Sequence, residues 1–487
     1  MSQATAQAKA SPAVAPRTLD AQRDLPVIVA VIAVAFLGIN QPLFAGLTTG
    51  TLVVAFLLPV WVGALRQFRF AVAISVLAVI ALVAGVVISQ FQGDRISDRS
   101  LAIEFALVFL TGIGGLGLLL WARTIIPTYQ VAVVFGLRYF LRVIQEAPAC
   151  ANPWKYEISV PLGIVLLALA ARAKSAVPTL GCLLALGLVS VAADSRSFFG
   201  FCLLAAVLVL WQRRPESTGK GLNKLSVFAL IAVALFALYS IGTTLLVQGY
   251  LGQANQQRTV QQIEDSGSLL VGGRPEWAGT LQLMKQNPMG FGLGTVPAPD
   301  DVMAAKAGIR AIGTDTENGY VDNYMFGGHF KLHSIIADLW ATFGIVGFAL
   351  GILMMVALIY CLIDRLSTRT ASGLVCLFAG LGIWDLAFGP IYKNLPDVML
   401  ALAVTLTASK AAIAATSVRP ATSCGSARAG PEPLPSWKAP LWPQHTTLPV
   451  LRRAQVCEAP SAEMAMMSVR PWTLIGFVRV VVEPSPS

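Results

Sequence analysis

The chain has 487 residues, of which 56% are hydrophobic and only 12% charged, with a mean hydropathy of +0.70. So apolar a composition excludes a single soluble domain and marks an integral membrane protein. The net charge of +10 reads as a topological bias of lysine and arginine, so no nucleic-acid partner is expected.

The first 24 residues are polar and alanine-rich. They lack the short apolar core and cleavage site of a signal peptide, so an uncleaved cytoplasmic tail is expected over 1–24. A hydrocarbon core of roughly 30 Å needs about 20 helical residues to cross it. Such stretches recur near 26–42, 45–65, 70–91, 101–121, 124–144, 157–171, 176–193, 198–212, 225–248, 335–361, 371–389 and 395–415. The fold class expected is therefore all-α: a polytopic transmembrane bundle of about 12 spans over 25–416, in contact with the lipid bilayer throughout.

Basic residues fall at alternate connections: Arg17 and Arg23; Arg66 with Arg69; Arg123; Arg172 with Lys174; Arg213, Arg214, Lys220 and Lys224; then Arg365 and Arg369. Short cytoplasmic loops collect lysine and arginine. This places both termini inside and makes the chain a multi-pass protein of the cytoplasmic membrane. The seven cysteines lie mostly in or beside spans, as with Cys182, Cys202, Cys361 and Cys376, and form no CxxC or Cys/His set. Neither a zinc site nor a disulfide framework is expected.

On this topology the segment 249–333 is one large extracytoplasmic loop. It opens with a polar run from Gln253 to Gln262 and carries Pro275, Pro288 and Pro297. A structureless loop of that length would be unusual, so short helices and a function are expected in it. The tail from 417 to 487 is rich in Pro, Ser, Ala and Arg and lacks periodicity, which predicts a disordered cytoplasmic extension with no catalytic role.

Four motifs stand at the outer ends of these spans. Asp194-Ser195-Arg196-Ser197 ends one span, and Gly273-Arg274-x-x-Trp277 lies in the large loop. Asn287-Pro288-x-Gly290-x-Gly292-x-Gly294 forms a glycine-rich turn. His333-Ser334 then precedes a span that carries Gly344-x-x-Gly347. In this order the motifs resemble those of the O-antigen ligase and O-antigen polymerase superfamily of bacterial membrane glycosyltransferases, with Ser197 where the family usually has Gly.

That resemblance implies an inverting enzyme of ligase type. It would transfer a glycan from a polyprenyl diphosphate-linked donor to a glycan, lipid or protein acceptor at the outer face of the cytoplasmic membrane. A repeat-unit polymerase is the close alternative. A secondary transporter is the alternative from another class, although no internal repeat supports it and the ionisable residues gather at one interface rather than the midplane.

Departure of the diphosphate builds negative charge, which a planar, permanently charged guanidinium can bond bidentately. Arg274 and Arg196 are expected in that catalytic role. His333, an imidazole titrating near neutrality, is expected to take the proton of the acceptor hydroxyl, the alternative being that it bonds and orients the diphosphate as a cation. Arg138 and Arg142, four apart on one helix face, Trp277 and Ser334 are expected to bind substrate. A charge inside the bilayer costs about 2.5–3.5 kcal/mol on insertion scales and usually faces a cavity.

His329 precedes His333 by four residues, a spacing that brings metal sites to mind. Phe330 stands where a zincin has Glu, and no third ligand is evident. No metal and no cofactor are expected. Glu276, Asp315, Glu317, Asp322, Tyr320 and Tyr324 are further loop residues able to meet sugar, and Asp338 is a candidate partner for a buried arginine.

Overall fold

The computed structural model describes residues 21–44, 46–93, 95–146, 150–213, 223–250, 252–268 and 272–409. All of them belong to one folding unit that ends at Ser417. Arg17, Arg214, Lys220, most of the expected N-terminal tail and all of the expected C-terminal tail lie outside the described residues.

The chain is mostly helical. In order come α1 (Ala21–Ile39), a hairpin of β1 (Pro42–Phe44) and β2 (Leu47–Thr48), α2 (Thr49–Phe56), α3 (Leu58–Ala64), α4 (Ala71–Gln90), α5 (Arg99–Ile125) and α6 (Thr128–Glu146). There follow α7 (Ser159–Ala170), α8 (Val177–Ala192), α9 (Arg196–Gln212), α10 (Lys224–Val247), α11 (Gln253–Ser266), α12 (Glu276–Gln286), α13 (Pro299–Arg310), α14 (Ile335–Ser367), α15 (Gly373–Phe388) and α16 (Ile391–Thr405). Among the described residues, the segment 249–333 thus carries α11, α12 and α13, and a short π-helical turn at Tyr320–Met325.

Among the described residues, four helices, α4, α5, α10 and α14, are long and apolar enough to cross a membrane, and the bent pair α2/α3 makes up to five. The span expected over 45–65 is not straight, because its two halves meet at 71°. Pro59 sits in the first turn of the second half, where its missing N–H leaves no hydrogen bond unmade. The remaining expected spans fall on shorter helices, down to the 12 residues of α7.

The bundle is organised around α5. Within its apolar window 61% of residues are buried, against 6% for α10, which puts α5 at the centre and α10 at the periphery. Its glycines are the reason it fits there. Gly112 seats Leu395 of α16, Gly114 seats Val54 of α2, Gly115 seats Leu37 of α1 and Gly117 seats Trp61 of α3. Small residues let helices approach closely where lipid supplies no hydrophobic drive between them.

One end of the bundle is tied by arginine. Arg365 donates to the carbonyls of Thr405 (2.7 Å) and Leu406 (3.1 Å), and Arg123 donates to those of Ala403 and Leu406. These carbonyls end α16, where the helix dipole is negative and cations are favoured. The opposite end carries the candidate site.

Candidate active site

The floor of the site is a break in α14. Gly344 has φ 64° and ψ −151°, a conformation open to glycine almost alone, and a Cβ there would meet the Met289 carbonyl and Ile88. Just before the break, the Ala341 carbonyl accepts from the amides of Phe291 (2.7 Å) and Gly292 (3.1 Å), while Leu293 N donates to Gly85 O of α4 (3.0 Å). The glycine-rich turn is thereby threaded between α4, α5 and α14. Gly344→Ala is expected to displace this turn and to lower the thermal midpoint of the purified protein by several degrees, through a strain of about 1–3 kcal/mol. An unchanged midpoint would remove the kink from the argument.

The segment ahead of α14 is irregular, so His329 and His333 do not share a helix face. Ser334 is the N-cap: its Oγ accepts from Ala337 N (3.2 Å) and donates to the Leu386 carbonyl (3.0 Å). Both hydrogen-bonding capacities of that hydroxyl are used, and the residue is fully buried. The geometry therefore gives Ser334 a part in holding the turn.

His333 stands one residue before this cap. It adopts φ 51°, a left-handed conformation costing about 1–2 kcal/mol for a residue with a Cβ. Its ring stacks on Tyr324, with centroids 4.5 Å apart and planes at 15°. It is buried, and Nε2 makes no hydrogen bond. Burial first, then the positive charges of Arg274 and Lys331, push its pKa down to about 4. A neutral imidazole with an unused nitrogen is what accepting a proton requires.

Asp338 fixes this turn. Its Oδ1 accepts from Leu332 N (2.8 Å) and its Oδ2 from Ile391 N (3.0 Å), joining the residue before His333 to the first residue of α16. The expectation of an arginine partner is corrected, since both carboxylate oxygens bond backbone amides. Asp338→Asn would turn a donor toward one of these amides and leave it unsatisfied, at about 1–3 kcal/mol. Thermal unfolding of the variant checks this; a midpoint equal to that of the parent would count against it.

Arg274 enters from the other side. Its guanidinium carbon lies 5.2 Å from the Trp384 ring centroid and 5.5 Å from that of Phe388, and Nη1 makes a long contact of 3.5 Å to the Phe388 carbonyl. The arginine thus rests on the last turn of α15, over aromatic faces and a carbonyl-rich helix end that favour a cation. It is within electrostatic reach of His333, Tyr320, Tyr324 and Asp385. Its two neighbours in sequence hold it there. Trp277 Nε1 donates to Ala387 O (2.7 Å), so that indole anchors α12 to α15 with its only donor. The buried Glu276 accepts from the Tyr320 hydroxyl, and Tyr320 titrates above its ordinary range because of burial and this carboxylate.

Arg196 stands at the start of α9, paired with Asp194 (3.5 Å) and donating to Thr259 of α11 (3.5 Å). One and a half turns on, Phe201 meets Trp384 at 5.6 Å, so α9 borders the aromatic platform under Arg274. Arg138 and Arg142 face elsewhere. Gly38 of α1 packs on the Arg138 Cβ, Arg142 donates to Ile39 O (3.4 Å) and lies over Tyr139 (5.0 Å), and Asp397 of α16 is its electrostatic partner. The structure brings Arg274 and His333 together, sets Arg196 beside the same platform, and gives Arg142 a buried acidic neighbour that the sequence reading missed. Nothing in the local sequence of Asp397 signals that proximity.

Arg196, Arg274, the glycine-rich turn, His333 and Gly344 all fall inside one stretch of chain recognised as a unit. Residues 180–352 match the O-antigen ligase family. The resemblance carried by the four motifs is thus supported over that segment, a minority of the chain, by a family model described as O-antigen ligase. The O-antigen ligase match begins within α8 and ends within α14, leaving Arg138 and Arg142 outside it. No curated protein and no solved structure matches the chain.

Proposed function

We propose that this protein is a membrane glycosyltransferase of O-antigen ligase type, which moves a glycan from a polyprenyl diphosphate carrier to an acceptor at the outer face of the cytoplasmic membrane. The observation that carries this reading is that His333, whose Nε2 makes no hydrogen bond among the described residues, lies within electrostatic reach of the Arg274 cation, both inside the segment that matches the O-antigen ligase family. In this scheme both termini are cytoplasmic, the shorter apolar helices complete about twelve spans, and 249–333 lies outside.

The steps follow from charge. Arg274, with Arg196 from the neighbouring helix end, takes the diphosphate of the donor lipid and stabilises the negative charge that grows as the glycosidic C–O bond breaks. His333 Nε2 removes the proton of the attacking acceptor hydroxyl. Attack from the face opposite the diphosphate inverts the anomeric carbon. Arg138 and Arg142 remain outlying candidates for the donor lipid, and Trp277 and Ser334 hold the two catalytic side chains in place.

Arginines balance the leaving charge here, so the purified protein is expected to keep full transfer activity in excess chelator. A strict requirement for added divalent cation, read in the same assay, would contradict arginine-based stabilisation. A repeat-unit polymerase would use the same site with a carrier-linked acceptor. Deleting the gene and examining the surface glycan separates the two: long chains stranded on the carrier mark a ligase, and single unpolymerised repeats mark a polymerase. An unaltered surface glycan would overturn both.

A further inference from the structure

The segment that leads into α14 sorts its side chains onto two sides. Phe330 stacks on Phe291 (4.2 Å, 16°) and meets Phe326 edge-on (5.8 Å, 83°), and Leu332 is buried in the same apolar cluster with Val321, Met325 and Trp340. The residues beside them turn elsewhere: the His329 ring meets Tyr392 (5.2 Å) and the His333 ring stacks on Tyr324 (4.5 Å). Such alternation is that of an extended segment, in which residues two apart share a side at a spacing of about 7 Å. Lys331 is the middle residue of this polar row. Its amide donates to the Met325 carbonyl (2.8 Å) and the next amide donates to Asp338, so the root of the side chain is held.

The ammonium group is not spent on the fold. Among the described residues Lys331 makes no ion pair and no side-chain hydrogen bond, although it is half-buried. Lys306, the nearest counterpart in this outer segment, is paired with Asp322 (2.7 Å). Lys331 lies within electrostatic reach of His329 and His333, and Arg274 within that of His333, Tyr320, Tyr324 and Asp385. Of these groups only His333 is reached by both cations, so they approach the proposed base from different directions.

Stereochemistry then separates their duties. Inversion sets the attacking hydroxyl and the departing diphosphate on opposite faces of the anomeric carbon. With Arg274 on the diphosphate, Lys331 falls on the side of the acceptor. A lysine ammonium is a point charge with three donors on a flexible stem, so it takes phosphate or carboxylate without needing a planar match. Away from open water, a cation without a counter-ion attracts an anion more strongly. Each bound anion also cancels a positive charge beside His333, so the imidazole becomes a better base once both substrates are in place.

We infer that Lys331 is the acceptor-side cation of this site: it binds a phosphate or carboxylate group that the acceptor carries next to its attacking hydroxyl, and so selects an anionic acceptor. This rests on the glycosyltransferase reading. Lys331 is a binding residue here, and the proton still passes to His333.

The test uses the full chain in phosphatidylcholine proteoliposomes. The glycosyl donor is a polyprenyl diphosphate oligosaccharide isolated from cells lacking the gene, and the acceptor is the membrane lipid extract of the same cells. One portion of extract is left untreated, one is dephosphorylated with aqueous hydrogen fluoride, and one has its carboxyl groups reduced to alcohols. With the unsubstituted protein, one of the two treatments is expected to raise the half-saturating amount of extract about threefold to tenfold. Dephosphorylation having that effect identifies a phosphate, and carboxyl reduction a carboxylate. Indifference to both treatments overturns the inference, and this arm needs no variant.

Lys331→Gln should raise half-saturation for untreated extract by the same factor and become blind to the effective treatment, with donor half-saturation unchanged. Lys331→Arg should keep the parental value. A rise in donor half-saturation in the glutamine variant would assign the lysine to the diphosphate and overturn the inference. So would unchanged acceptor half-saturation, whatever happens to the maximal rate, because the lysine would then act on His333 through its charge alone. If the unsubstituted protein transfers no glycan under any condition, the glycosyltransferase reading has failed, a result distinct from all of these.

Discussion

Replacing Arg274 by alanine is expected to slow glycan transfer roughly a hundredfold to a thousandfold, the loss usually seen when one stabiliser of transition-state charge is removed. The side chain lies on the aromatic faces of Trp384 and Phe388, so it enters the reaction already oriented. Arg274→Lys keeps the charge but loses the planar fork and the stacking, and is expected to recover only part of the rate. The measurement is the single-turnover rate with a labelled polyprenyl diphosphate oligosaccharide. Full activity in the lysine variant would remove bidentate phosphate bonding from the mechanism.

His333→Ala is expected to cost roughly a hundredfold to ten-thousandfold, the range for a general base. The left-handed backbone at 333 makes His333→Asn the better control for folding, since asparagine tolerates that conformation where most residues resist it. Both variants should insert and purify normally, and neither should transfer at the parental rate. Retained activity in either would eliminate His333 as the base.

The pH profile carries a second signature of the same residue. Burial, then Arg274 and Lys331, lower its pKa to about 4, so the free protein holds the imidazole neutral at all pH values above that. The acid limb of kcat/KM, which reports the free enzyme, is expected near pH 4 and not near the ordinary histidine value of about 6.5. Arg274→Ala removes one of the lowering charges and should shift the limb toward higher pH.

What the sequence makes legible follows the range of the forces involved. Apolar segments act locally, and α4, α5, α10 and α14 appear where hydropathy places them, but the 71° bend between α2 and α3, beside Pro59, is not given by the apolar run. The glycine motifs are readable as a pattern. Their reason, a helix broken at Gly344 to admit the turn at Met289–Leu293, appears only when α4, α5 and α14 are assembled.

Site residues divide the same way. Arg274 and His333 are recognisable because each sits in a short motif. The ties that aim them are long-range: Asp338 to Ile391, Trp277 to Ala387 and Tyr320 to Glu276. Ser334 and Trp277 lie in the right motifs but spend their polar atoms on the scaffold.

A double-mutant cycle on single-turnover glycan transfer tests most directly whether His333 and Arg274 act on one reacting centre. Rates would be measured for the parent, His333→Asn, Arg274→Ala and the double variant. Residues serving one transition state show strongly non-additive losses, so the double variant should be little slower than the worse single variant. If the two penalties multiply in full, the imidazole and the guanidinium work independently and a common reacting centre is contradicted.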